Sequence, residues 1–335
     1  MSLGVAIVGA GSIGRKRAAA LQQFDNCKLK VVTDVNRTAA EVLCNEFGGQ
    51  PEQDWKKVVT NSNVHIVIVA TINKFLAELS IEALENGKHV LCEKPLGKNS
   101  QESQRIIEAA KQSGTIIKTG FNHRHHPAIA KAKLLCEQGK FGQIMYLRCR
   151  YGHGGRPGYE KEWRANKDLC GGGELLDQGV HVVDLFRWFA GDFQQAFGYA
   201  PTYFWNMEVE DNAFGLFRTE AGGVASMHTS WTQWKNLFSF EVFGTDGFLI
   251  VEGLGGSYGT ETLIAGRRRP EGGTPEEQTF TFPGPDISWQ QEWKEFLSAI
   301  EEHRDPMGSG WDGLQANRML EAVYKSAQTS QTVEI

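Results

Sequence analysis

Asp177 and His181 lie four residues apart in the run Gly171-Gly172-Gly173-Glu174-Leu175-Leu176-Asp177-Gln178-Gly179-Val180-His181. On a helix, residues at that spacing share one face about one turn apart. An imidazole that titrates near neutrality, with a carboxylate beside it, has the makings of a general base and the group that orients it. Such a pair suits removal of an alcohol proton while a hydride leaves the same carbon. That reaction also calls for a cation beside the developing alkoxide, and Lys94, in Glu93-Lys94-Pro95, is the available candidate. The residues alone leave other readings open. His181 sits among Val182, Val183, Phe186 and Phe189 and also fits a core histidine. Asp184 is a second candidate to hold its ring, Lys94 fits a strand end, and Glu174 fits a helix N-terminal charge.

These residues must be positioned by a scaffold, and the first 120 residues show one. Strand signals at Val5–Val8, Leu29–Thr33, Val64–Ala70, His89–Cys92 and Thr115–Thr119 alternate with helical stretches at Ile13–Phe24, Thr38–Phe47, Phe75–Asn86 and Ser100–Gln112. Repeated β-α alternation with short connections predicts a doubly wound parallel sheet, a Rossmann fold. Gly9-Ala10-Gly11-Ser12-Ile13-Gly14 falls between the first strand and the first helix. There Gly9 permits the tight turn, Gly11 close approach of a pyrophosphate, and Gly14 helix–strand packing. Ser12 and Ile13 open the helix whose free N–H groups face the phosphates. Asp34, about 20 residues on, is placed to bind the ribose hydroxyls, which predicts NAD rather than NADP, although Arg37 nearby is a candidate for a 2′-phosphate.

After residue 121 the rhythm changes. A helix over Pro127–Gln138, a strand over Ile144–Tyr151 and a helix over about Glu174–Phe189 lead into strands at Ala213–Arg218, Gly223–Trp231, Leu237–Phe243 and Phe248–Val251. Gly-rich turns between them predict an antiparallel meander. An exposed loop is expected at Gly266–Gln278, then closing helices at Trp289–His303 and Leu314–Gln328. The domain expectation is therefore 1–121 for the cofactor, and 122–335 for substrate and oligomerisation on an open, mainly antiparallel α+β sheet, with the closing helices free to pack back on the first domain.

A strand ending in Glu93-Lys94-Pro95, followed by Gly120-Phe121-Asn122-His123-Arg124 and then the 171–181 run, resembles the glucose–fructose oxidoreductase / inositol dehydrogenase / MocA family over nearly the whole chain. The resemblance implies Lys94, Asp177 and His181 at the catalytic positions. It implies cofactor contacts at Glu93, Lys94, Thr71, Asn73, Asn122, Trp163 and Arg164, with Arg124 in the same loop as Asn122 facing substrate. Ile72 stands where the family usually has Pro, and Leu76 where His is common.

The segment Tyr151-Gly152-His153-Gly154-Gly155-Arg156-Pro157-Gly158-Tyr159 leads into Trp163 and the catalytic run. Tyr151, His153, Arg156 and Tyr159 suit a polyhydroxylated or anionic ligand, because Tyr stacks on a sugar face and Arg binds carboxylate or phosphate bidentately. A sugar, cyclitol or sugar nucleotide is the expected substrate, oxidised at a secondary hydroxyl or reduced from the ketone. The alternatives are a non-catalytic NAD-binding regulator, a reductase of imine or conjugated substrates, and an NAD-dependent glycosidase. His123, His125 and His126 read as polar loop residues, and no metal is expected. A net charge of −5 without a basic block argues against nucleic acid as partner, and no apolar stretch reaches the roughly 18–20 residues of a membrane span. Six cysteines without C-x-x-C spacing and the absence of a secretory-type N-terminus predict reduced thiols in the cytoplasm. The second face of the antiparallel sheet needs cover, which predicts a homodimer or homotetramer through it.

Overall fold

The computed structural model describes residues 2–335, so Met1 lies outside the described residues. Two compact units are present: residues 2–121 with Trp289–Gln315, and Asn122–Ser288 with Ala316–Ile335. The first unit contains β1 (Leu3–Val8), α1 (Ser12–Leu21), β2 (Cys27–Thr33), α2 (Arg37–Phe47), β3 (Gln50–Glu52), α3 (Trp55–Val59), β4 (Ile66–Val69), α4 (Asn73–Glu85), β5 (His89–Cys92), α5 (Ser100–Ser113) and β6 (Ile117–Thr119). Its six strands are parallel in the order β3-β2-β1-β4-β5-β6, a doubly wound sheet that reverses strand order between β1 and β4.

Both faces of this sheet are covered, which is why the strands read as unbroken Val/Ile runs. Val67, Val69 and Val90 pack with Leu76, Leu84 and Ile106 on one side. On the other side Ile7, Val32, Ile66 and Ile68 pack with Leu21, Leu43 and with Trp293, Phe296 and Ile300 of the late helix Ser288–Glu302. The segment 289–315 therefore counts with the first unit. β3 and α3, at three and five residues, are too short to show a period in the sequence.

The second unit contains α6 (Pro127–Glu137), β7 (Ile144–Gly152), α7 (Lys167–Cys170), α8 (Val180–Ala190), β8 (Phe193–Tyr199), β9 (Asn212–Thr219), β10 (Val224–Ser230), β11 (Leu237–Gly244), β12 (Gly247–Glu252), β13 (Glu261–Arg267), β14 (Glu276–Phe282) and β15 (Val333–Glu334). Its nine strands run in the order β14-β13-β12-β11-β7-β10-β9-β8-β15. The expected meander is split, because β7 inserts between β10 and β11 and pairs parallel with β10, Leu147 opposite Ala225 and Cys149 opposite Met227. β13 and β14 also reach into the stretch expected as a loop at 266–278. The β14 sequence Glu-Glu-Gln-Thr-Phe-Thr-Phe is an exposed edge strand with no buried face, so no alternation announced it.

Alternation elsewhere in this sheet is clear. Leu147, Cys149, Phe217, Met227, Phe240, Val242, Leu249 and Val251 point to the buried face. There α8 lays Phe186 and Phe189 on Phe240, with ring centroids 6.2 and 5.0 Å apart. The sheet thus fixes α8 and the segment that leads into it.

Candidate active site

In the first unit the turn from β1 to α1 has the shape a dinucleotide requires. Gly9 has φ +106°, and a Cβ there would lie 2.3 Å from the Ala70 carbonyl oxygen. A Cβ on Gly14 would lie 2.0 Å from the Gly9 oxygen, so strand and helix touch through that residue. A Cβ on Gly11 would meet nothing within 4 Å. Two glycines are therefore demanded by the fold, while the middle one faces open space at the N-cap of α1, where N–H groups and dipole favour a phosphate. Asp34, at the end of β2, accepts from the Ala10 N–H at 2.7 Å through one oxygen and from the Asn36 N–H at 2.8 Å through the other. Its remaining lone pairs can accept ribose hydroxyls. These residues fit a bound dinucleotide: Gly9 to Gly14 would hold the pyrophosphate and Asp34 the ribose.

Other cofactor candidates fall in different places. Arg37 is 65% exposed and paired with Glu41 one turn along α2. Ile72, before Asn73 at the start of α4, has φ −68° and ψ 153°, values a proline would also adopt. Asn73 is buried as the first residue of α4. The Glu93 carboxylate is turned to Arg17 of α1, accepting from Nε at 2.7 Å. Its role is thus to tie the strand end to the cofactor helix. Arg17 is 1% exposed, is also held by Glu292, and lies under Trp289 at 4.5 Å. Lys94 follows Glu93, half-buried, and its peptide to Pro95 is cis.

In the second unit, Asp177 and His181 sit where a π-helical turn, Leu175–Gly179, runs into α8, so the helix carrying them is not the regular one expected. The entry to this turn is held from outside. The Glu210 carboxylate accepts from the Gly173 N–H at 3.0 Å, the Leu175 N–H at 3.1 Å and the Tyr324 hydroxyl at 2.7 Å. Burial pushes the Glu210 carboxyl up from its ordinary range, against the pull of those donors. A Cβ at Gly173 would lie 2.0 Å from the Glu210 main-chain carbonyl oxygen and one at Gly172 2.3 Å from the Tyr324 hydroxyl. The glycine run is therefore a packing device that seats the π-helical turn carrying Asp177.

Asp177 is half-buried with Arg164 Nε 3.4 Å away, and Arg164 lies 4.5 Å over the Trp163 ring. His181 is 4% exposed, its ring stacked on His123 at 3.7 Å between centroids and 19° between planes. Asp184 binds Arg124 through two hydrogen bonds, at 2.9 and 2.5 Å. That pair is buried, so Arg124 braces the 122–125 turn against α8. Asn122 donates to Ser288 at 3.0 Å.

The remaining substrate candidates divide. Tyr151 is buried against Phe238 and Tyr258 and hydrogen-bonds the Tyr258 hydroxyl, which also accepts from Gln178 at 3.0 Å. Burial first, then Tyr258 and the charge of Glu174, raise the Tyr151 pKa and keep its hydroxyl neutral. His153 accepts from the Gly155 N–H. Arg156 is exposed and paired with Glu162 at 2.7 Å. Tyr159, 2% exposed, is enclosed by Trp205 and Trp231, so its ring belongs to the core. His126 contacts Glu261 at 2.7 Å. Glu210 and Glu292 left no signal in the sequence, and the stacking of His123 on His181 and the pairing of Asp184 with Arg124 were equally hidden, because these contacts join long stretches of chain.

A doubly wound domain with a glycine cradle and an acid at the end of its second strand, in one chain with a carboxylate and imidazole seated at a helix entry, fits a two-domain nicotinamide-nucleotide oxidoreductase. Residues 3–121 match the family model described as an oxidoreductase family with an NAD-binding Rossmann fold, and residues 129–250 match the GFO/IDH/MocA C-terminal domain. The chain belongs to the Gfo/Idh/MocA oxidoreductase family, and its first unit is an NAD-binding domain. It is 26% identical to levoglucosan dehydrogenase of Pseudarthrobacter phenanthrenivorans, over 100% of this chain and 98% of that one. It is 24% identical to myo-inositol 2-dehydrogenase of Thermotoga maritima, over 99% and 98%. The solved levoglucosan dehydrogenase complex with NADH and levoglucosan superposes with a TM-score of 0.91 at 25% identity, covering 100% and 99% of the two chains.

Proposed function

We propose that this enzyme is an NAD-dependent dehydrogenase of a sugar or cyclitol, acting at a secondary hydroxyl or its ketone. The observation that carries the reading is the seating of Asp177 and His181 at the entry to α8, in a chain that also holds a fitted dinucleotide cradle. Bound NAD supplies the hydride acceptor. His181 takes the hydroxyl proton, and Asp177, one turn earlier beside Arg164, supplies negative charge that favours the proton-bearing imidazole. Lys94, on the first unit, is assigned the stabilisation of the alkoxide by the family resemblance. Asp34 supports NAD over NADP, since its carboxylate repels a 2′-phosphate and Arg37 is occupied with Glu41. Names of relatives, among them levoglucosan dehydrogenase, myo-inositol 2-dehydrogenase and 1,5-anhydro-D-fructose reductase, support a polyhydroxylated substrate.

The division of labour we propose is cofactor in 1–121 and substrate and assembly in 122–335. The outer face of the nine-stranded sheet shows Tyr199, Leu216 and Val224, each 41–54% exposed, with Tyr146 stacked on Phe243. A second copy covering that face makes a homodimer or homotetramer, read by light scattering. Six free cysteines support a cytoplasmic setting. Among the described residues no helix is long and apolar enough to cross a membrane.

The test is NADH formation with a panel of anhydrosugars, free sugars, glycosides and inositols. Net NADH from one group identifies the substrate class. Glycoside cleavage without net NADH, or binding of NAD without turnover, overturns the reading.

A further inference from the structure

His123 is not used by the reaction described above, yet its ring lies face to face on His181, 3.7 Å away. Its other sides are closed by Tyr151 at 5.3 Å, Phe238 at 6.1 Å and His126 at 5.5 Å. It is 5% exposed. A ring so enclosed is set by its neighbours, and the hydrogen bonds reaching it have a direction that can be worked out.

The chain starts at Asp286, whose carboxyl oxygen accepts from the Ser288 hydroxyl at 2.6 Å. The Ser288 oxygen then offers lone pairs, and the group facing it at 3.0 Å must be the Asn122 amide nitrogen. That turns the Asn122 carbonyl oxygen toward His123 Nδ1, 3.2 Å away. An oxygen there requires a proton on Nδ1. One tautomer and one ring orientation of His123 follow from a carboxylate three hydrogen bonds away.

We propose that His123 is a positioning residue: held by the Asp286–Ser288–Asn122 chain, its ring sets the plane of the His181 imidazole. A flat neighbour at 3.7 Å and 19° leaves His181 little freedom to tip, and a base that tips by about 1 Å loses rate steeply, on the order of 10². The inference rests on the reading of His181 as the base.

The test uses the full chain with 15N-labelled histidine and the panel compound that gives most NADH. The expected spectrum shows His123 protonated on Nδ1, and S288A mixes its tautomers and shifts the His181 ring resonances. In kinetics H123A lowers kcat about 10–100-fold with KM within about threefold, and H123F, which keeps a ring against His181, recovers most of it. S288A, the milder change, lowers kcat about 3–10-fold and stands in for H123A if that variant fails to fold. An Nε2–H tautomer for His123, unmoved His181 resonances in S288A, or full kcat in H123A overturns the proposal. H181A with full turnover overturns the functional reading instead, so the two failures are distinct.

Discussion

Gly11 separates binding from folding more cleanly than any other position in the cradle. Its backbone, φ −73° and ψ −167°, is open to any L residue, and a Cβ meets no atom within 4 Å. Gly→Ala at such a site gains about 0.4–1 kcal/mol by restricting the unfolded chain, and the N-cap preference for Gly over Ala takes back a similar amount. Stability of G11A without cofactor should therefore stay within about 1 kcal/mol of wild type, or about 2–4 °C for units of this size. The methyl group, however, stands where the pyrophosphate must approach. At NAD 100 times the wild-type Kd, ligand adds about 2.7 kcal/mol to wild type, but about 0.4 kcal/mol to a variant binding 100-fold more weakly. Thermal melts with and without NAD, with calorimetry for Kd, measure both quantities. G14A is the control, since its Cβ would press 2.0 Å from the Gly9 oxygen and should cost about 1–3 kcal/mol even without ligand. If G11A bound NAD as tightly as wild type, the dinucleotide would not pass over this turn and the placement would be wrong.

Asp34→Ala removes both the Ala10 N–H acceptor and the ribose acceptor, so NAD affinity should fall about tenfold or more while NADP affinity holds or rises, read by calorimetry with each cofactor. Glu292→Ala leaves the buried Arg17 with Glu93 as its remaining carboxylate partner and should cost about 3–5 kcal/mol in urea unfolding, whereas an exposed pair such as Arg37–Glu41 should cost under about 1 kcal/mol. Burial tends to raise both Asp211 and Glu261, but backbone N–H donors to each, with Asn212 for Asp211 and His126 for Glu261, hold both below their ordinary values of 3.8 and 4.5. A carboxylate with a lowered folded pKa stabilises fully above its ordinary value and loses that contribution as pH falls below it. Melting temperature should therefore drop as pH falls from 4.5 downward, and E261Q should make the drop shallower.

The Rossmann half was legible because a strand buried on both faces and a glycine turn followed by an acid each leave a local pattern. Gly9, Gly11, Gly14 and Asp34 are readable at fixed offsets, and the structure gives each a distinct environment. The second half was harder for a physical reason. β7 pairs with β10 and β11, some 80 residues later, and nothing in Ile144–Gly152 announces either partner. Glu93 shows the same limit, since its carboxylate pairs with Arg17, 76 residues earlier, and nothing in the sequence announces that partner. Tyr159 looked like a sugar platform beside glycines, but only the positions of Trp205 and Trp231 reveal it as core. The pairing of Arg124 with Asp184 spans 60 residues and turns a substrate candidate into a brace. His123 reads as a loop residue beside His125 and His126, because its stacking on His181 has no signature in spacing.

We propose that His181 removes the hydroxyl proton of a polyhydroxylated substrate as NAD is reduced. The most direct measurement is kcat of H181A against wild type, by NADH absorbance with the best panel substrate, with NAD affinity measured on the same preparations. The expected result is a fall of about 10²–10⁴ in kcat with NAD binding unchanged. Turnover equal to wild type in H181A would contradict it.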